Sequence, residues 1–174
     1  MQPEPSNLPL EARIGAELRR RSLKLTLAES CTGGLVGHRV TNIPGSSDYN
    51  LGSVTAYAYE AKERLLGVRH ETLLQYGAVS RETALELARG VRQALSPDFG
   101  LEHVVGMSLT GIAGPGGGTP TKPVGLVWIG MSAPEGDWAW SFIWRGDRLQ
   151  NKEYSAQAAL ELLWDYLTGN LPTE

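Results

Sequence analysis

The chain has 174 residues, 41% of them hydrophobic and 20% charged, with 21 glycines, 10 prolines, one cysteine and a formal net charge of −3. That length suits a single domain with a sizeable core, and the composition is that of a folded globular protein rather than a disordered or fibrous one. The mildly acidic balance speaks against a general nucleic-acid binder, the lone cysteine excludes an intrachain disulfide, and no apolar run approaches the ~18 residues that span a bilayer.

The opening "MQPEPSNLP" is polar and proline-rich and lacks the basic-then-apolar plan of a signal peptide. Residues 1–9 are therefore expected to be a flexible leader, and the protein cytoplasmic. In "LEARIGAELRRR" the spacing of Leu10, Ile14 and Leu18 predicts one apolar stripe of a helix, with Pro9 before its first turn and basic residues at its carboxyl end. "LKLTLA" (23–28) alternates as a short strand, and "LVGHRVTNI" reads as a helix with Leu35, Val36 and Val40 inward. After the loop "PGSSD", "GSVTAYAY" (52–59) predicts a second strand on which Tyr57 and Tyr59 share a face, running into a helical "EAKERLLG". A short helix around 71–76 follows. Ser80 then caps "RETALELARGVRQAL", whose Ala84, Leu87, Val91 and Leu95 line one face.

"HVVGMSL" (103–109) has the length and apolarity of a buried strand, and it empties into the irregular "TGIAGPGGGTPTKPVG". "LVWIGMSA" and "WAWSFIWR" flank the turn "PEGD" as a hairpin. Along the second of these, Trp138, Trp140, Phe142 and Trp144 recur with period two, the pattern of a buried sheet face. Asp147 can cap a final helix that runs to about 167. This order predicts a layered α/β/α domain with a mixed, partly parallel sheet over 10–168, without internal boundary or repeat, and a tail at 169–174.

Two loops leave strand carboxyl ends, where α/β folds place ligands: 30–34 and 110–119. The first sets Ser30, Cys31 and Thr32 before Gly33-Gly34, so that three hydroxyl or thiol side chains precede two glycines at a strand-to-helix turn. Backbone amides there can hold a phosphate or a developing oxyanion, although paired glycines at such a turn also serve packing. The second loop is neither a Walker loop, since no Gly-Lys-Ser/Thr follows, nor a dinucleotide fingerprint. His38, His70 and His103 lack ligand-like spacing, so no metal site is expected. For the same reason a histidine-based serine triad has no candidate base. A lysine at position 62, just past a strand, is ordinarily a solvated surface charge.

Several stretches in register resemble one family. "AESCTGG" (28–34), "YxxEAK" (57–62), "GAVS" (77–80), "TGIAGPGGGTPTKPVG" (110–125) and "GDR" (146–148) are similar to the CinA carboxyl-terminal domain, which also occurs alone as nicotinamide-nucleotide amidase. The resemblance spans roughly residues 10–168 and corresponds to the stand-alone form. It implies hydrolysis of nicotinamide mononucleotide to nicotinic acid mononucleotide and ammonia, with Ser30 as nucleophile and Lys62 and Tyr57 as its partners. Such Ser–Lys chemistry needs no metal or other cofactor. Thr32, Gly33 and Gly34 are then the candidate oxyanion donors, and Thr110 and Gly111 candidates for holding the nicotinamide ring and ribose. Arg148 is the first candidate for the phosphate, with Arg145 and Lys122 behind it. Self-association is expected, with "WAWSFIW" offering a surface; neither nucleic acid nor a membrane is expected as a partner. Tyr59, Asn151 and Lys152 depart from the residues usual in the family. The altered final helix leaves a catalytically silent nucleotide-binding or interaction module as the alternative, and Cys31 leaves a thiol enzyme.

Overall fold

A computed structural model describes residues 8–96 and 98–173. In chain order the elements are α1 (Leu10–Arg20), β1 (Lys24–Glu29), α2 (Leu35–Thr41), β2 (Asn50–Thr55), α3 (Tyr59–Leu66), α4 (His70–Tyr76), α5 (Arg81–Ala94), β3 (Val104–Gly111), β4 (Leu126–Ala133), β5 (Gly136–Ile143) and α6 (Arg148–Thr168). The strands form a sheet in the order β2-β1-β3-β4-β5. β1 runs parallel to β2 and β3, and β3, β4 and β5 form an antiparallel meander. The sheet is therefore mixed and partly parallel, as the element order predicts. Of the leader expected at 1–9, residues 1–7 lie outside the described residues.

Helices cover both faces, which is why β1 and β3 are buried on successive positions rather than on alternate ones. On one face α1, α2 and α6 pack over Leu25, Leu27, Val105, Met107, Ile129 and Met131, with Leu18, Leu160 and Leu163 filling the layer. On the other, α3, α4 and α5 enclose Ala28, Leu66, Leu73, Leu87 and Val91. α5 sits unusually close to the sheet because glycines face it. A Cβ on Gly130 would lie 2.5 Å from the Ala84 carbonyl oxygen, and one on Gly106 would lie 2.7 Å from Arg92 Cβ. The closeness is used for hydrogen bonds: Ser108 Oγ donates to the Ala84 carbonyl at 2.6 Å, and Arg92 Nε donates to that of Val104 at 2.8 Å.

Two expectations change. The second strand ends at Thr55 rather than at residue 59: the Ala56 N–H donates to the Glu29 carbonyl at 2.9 Å, and the Ala58 carbonyl then accepts the first bonds of α3. Tyr57 consequently lies in the connection, 60% exposed, and Tyr59 opens a helix, so the two share no strand face. The aromatic stripe is core as expected. Trp140 is buried, Trp138, Phe142 and Trp144 pack against the α6 layer, and Phe142 stacks on Trp144 with centroids 5.0 Å apart. Beyond α6, Leu171 packs on the same core and Trp140 Nε1 donates to the Pro172 carbonyl.

Candidate active site

The connection after β1 leaves toward β2 by way of α2, whereas the chain reaches β3, on the other side of β1, through α3 to α5 on the opposite face. Such a reversal opens a crevice beyond the carboxyl ends of the strands. The 30–34 turn lies there beside the carboxyl end of β3, to which the Ser30 N–H is tied by donating to the Leu109 carbonyl at 3.0 Å.

A buried carboxylate builds the turn. Glu29 is 1% exposed and accepts from Thr32 Oγ1 (2.7 Å), the N–H groups of Gly34 (3.1 Å), Val36 (3.1 Å) and Gly37 (2.8 Å), and Ser53 Oγ (3.3 Å). A buried charge is tolerated when its lone pairs are satisfied in this way. The N-cap of α2 is Gly34, which has no side chain to offer, so Glu29 supplies the cap from outside the helix. Gly33 (φ 66°) and Gly34 (φ 96°) place two successive residues in the left-handed region, which folds the chain back over Glu29 and which side chains with a Cβ rarely adopt. The Gly33 N–H donates to the Ser30 carbonyl. Of the three amides expected as oxyanion donors, those of Gly33 and Gly34 are thus engaged internally, and the Thr32 amide has no oxygen acceptor among the described residues.

Lys62 is not a surface charge: it is 1% exposed. Its position on the first turn of α3 directs Nζ back toward the end of β1, where it donates to Ser30 Oγ (3.1 Å) and to the carbonyls of Ala56 (2.7 Å) and Tyr57 (2.9 Å). Burial lowers its pKa to about 8, against a weaker opposing influence of Cys31. In the neutral amine the two carbonyls retain the two N–H bonds, and the lone pair is left facing the Ser30 hydroxyl. Cys31 is 5% exposed. Burial pushes its thiol up to about 12, outweighing the Cys31 and Thr32 N–H groups and the Lys62 ammonium that favour the thiolate. It is a packed core residue and a poor nucleophile.

The sequence profile described as the CinA C-terminal domain matches residues 7–167. The chain belongs to this family. A CinA-like protein of Salinibacter ruber is 50% identical over 155 residues, covering 89% of the chain and 36% of the relative. The chain thus spans little more than a third of the curated relatives it matches. Among solved structures, the competence/damage inducible protein CihA from Agrobacterium tumefaciens is 37% identical with a TM-score of 0.84, over 91% of this chain and 93% of that one. A CinA superfamily protein from Klebsiella pneumoniae is 27% identical with a TM-score of 0.85, over 97% and 99%.

The other residues singled out in this CinA-family chain divide sharply. Tyr57 meets Lys62 through its carbonyl; its hydroxyl accepts from the Arg148 guanidinium at 3.1 Å. Arg148 also donates to the Gly114 carbonyl at 2.7 Å and borders a largely apolar cavity of about 480 Å³ lined by Ala113, Pro115, Val124 and Leu149. Thr110 is buried, and its hydroxyl donates to the Ala78 carbonyl at 2.6 Å, tying the end of β3 to the 77–80 turn. Gly111 lies where a Cβ would strike Val127, so its place is one of close packing. Lys122 Nζ donates to the Tyr76 carbonyl. Arg145 is exposed and makes no hydrogen bond or ion pair among the described residues. Two residues were not legible as site components. Glu29 lies within the AESCTGG motif but is given no role by it. Asn151, 1% exposed, accepts from Gly146 N–H (3.0 Å) and donates to the Ala113 carbonyl (3.1 Å), locking α6 to the loop after β3. No helix is long and apolar enough to cross a membrane.

Proposed function

We infer that the protein is an amidohydrolase that converts nicotinamide mononucleotide to nicotinic acid mononucleotide and ammonia, with Ser30 as nucleophile and Lys62 as general base. The observation that carries this reading is Lys62 Nζ at 3.1 Å from Ser30 Oγ, buried, with its remaining bonds held by two carbonyls. The family resemblance supplies the substrate. A serine hydroxyl needs a base to become a competent nucleophile, and a desolvated lysine is one.

In the first step the Lys62 lone pair takes the Ser30 proton as Oγ forms a bond to the carboxamide carbon. The tetrahedral intermediate then expels ammonia, which leaves with the proton held by Lys62, and an acyl-serine ester remains. Water, deprotonated by Lys62, attacks that ester, and the proton returns to Ser30 Oγ as the acid departs. The Thr32 N–H is the oxyanion donor in this scheme, a contact that contributes about 10²–10³ in rate in other acyl-transfer enzymes. Tyr57 orients Lys62 through its carbonyl, while Arg148, with Arg145 nearby in sequence, brings positive charge to the same rim. Self-association belongs to the same reading. β5 is an outer strand of the sheet with Ile143 59% exposed, and sedimentation measures the outcome.

Ammonia release from nicotinamide mononucleotide, with metal chelated, tests the reading. Wild type and Cys31→Ala are expected to turn over equally. Ser30→Ala and Lys62→Ala are expected to lose at least ~10²–10⁴ in kcat. A wild type that binds the mononucleotide without releasing ammonia would instead make the chain a binding module.

A further inference from the structure

A ligand that carries an anionic group to Ser30 needs a cation or a set of free amides to receive it. The short helix after the nucleophile turn, whose first amides would be the obvious receiver, cannot serve: the N–H groups of Gly34, Val36 and Gly37 already hold Glu29. Arg148 is committed on two sides, to the Gly114 carbonyl and the Tyr57 hydroxyl.

Lys152 is different. It is half-buried, yet it makes no hydrogen bond or ion pair among the described residues. Its Nζ stands 3.7 Å from the point a Cβ on Gly33 would occupy, directly over the turn that carries Ser30. It follows Arg148 by four residues on α6, so both project from one side of the helix. Its base is fixed by the neighbouring Asn151, whose side chain bridges Gly146 and Ala113. An ammonium with no hydrogen-bond or ion-pair partner of its own keeps its donors for an incoming counter-charge. The bare Cα of Gly33 leaves the approach to it open.

The geometry points to Lys152 as the residue that receives the ligand's anionic group, a phosphomonoester, above Gly33. This rests on the amidase reading for where the reacting carboxamide lies. A phosphomonoester carries about −1.5 to −2 charges near neutral pH and offers several acceptor oxygens, which suits an ammonium with three free donors. Arg148 then shapes the rim through Tyr57 and Gly114, while Lys152 makes the direct contact.

Calorimetric binding to the Ser30→Ala protein, alone and with Lys152→Ala or Lys152→Arg, separates the possibilities, using nicotinamide mononucleotide and the same nucleoside without its phosphate. Lys152→Ala is expected to weaken the mononucleotide by about 10- to 100-fold and leave the nucleoside unchanged, and Lys152→Arg to restore most of the loss. Unchanged mononucleotide binding in Lys152→Ala, equal losses for both ligands, or a Ser30→Ala protein that does not prefer the phosphorylated ligand would each overturn the assignment. The two readings fail separately. Phosphate-dependent binding that needs Lys152, in a wild type that releases no ammonia, retains this site and ends the amidase. Normal turnover by Lys152→Ala with an unchanged KM does the reverse.

Discussion

At the scale of single residues the site is defined by what burial does to two adjacent groups. The same desolvation that pushes the Cys31 thiol up to about 12 lowers Lys62 to about 8, so burial favours the neutral form of both groups. If Lys62 must be neutral to accept the Ser30 proton, kcat/KM is expected to fall about tenfold per pH unit below pH ~8 and to level off above it. A flat profile across that range would remove Lys62 from the base role. Lys62→Arg, which keeps the charge but cannot deprotonate, is expected to be as inactive as Lys62→Ala. Lys62 also marks stability. Its folded pKa lies below the unfolded value of 10.5, so between about 8 and 10.5 the unfolded chain binds more protons. Its unfavourable contribution is present in full below pH 8 and fades as pH rises through that window.

Among the elements, α2 depends most on a residue outside itself. Seven residues long, with a glycine N-cap, it has its first amides held by Glu29 at the end of the preceding strand. Glu29→Gln replaces one acceptor oxygen by an NH₂ group facing N–H donors, and is expected to lower stability by about 1–3 kcal/mol. The same change is expected to reduce kcat more than it raises KM, because the turn that presents Ser30 loosens. Hydrogen exchange should then speed up at residues 33–37 and stay slow in α5; protection unchanged at 33–37 would show that Glu29 does not hold the turn. α6 is positioned in a complementary way. Asp147 accepts from the N–H groups of Leu149 and Gln150, the Gln150 side chain returns a bond to the Asp147 N–H, and Asn151 fastens this capped start to the loop after β3.

Across the whole molecule, the two helical layers share one sheet, so neither can be lost without exposing the face it covers. Leu163→Ala on the α6 side and Leu87→Ala on the α5 side each empty a nearly inaccessible position, and each is expected to cost about 2–5 kcal/mol. Both variants are expected to melt in a single calorimetric transition displaced to lower temperature. Two resolved transitions in either would mean that the layers unfold separately.

The periodic parts of this architecture were legible from residue types alone. Helices α1, α5 and α6 announce themselves by apolar spacing and by Ser80 and Asp147 at their starts, and the hairpin by a Pro-Glu-Gly-Asp turn between apolar runs. These features are local: periodicity, capping and turn chemistry act over a few residues, and the sequence determined them by itself. The motif resemblance likewise singled out Ser30 and Lys62 before any geometry was available. What only the tertiary structure decided is how distant segments answer one another. The β-rich run at 52–59 stops at Thr55 because the neighbouring end of β1 captures Ala56 and the next residues join α3. Lys62 becomes buried because that helix turns its first face onto the end of β1, and Tyr57 meets it through its carbonyl while its ring stays exposed. Glu29 caps a helix whose N-cap lies five residues ahead, and Lys152 comes to stand over Gly33 from 119 positions further along the chain. Burial and long-range hydrogen bonds set those roles, and they exist only once the two faces of the sheet are covered.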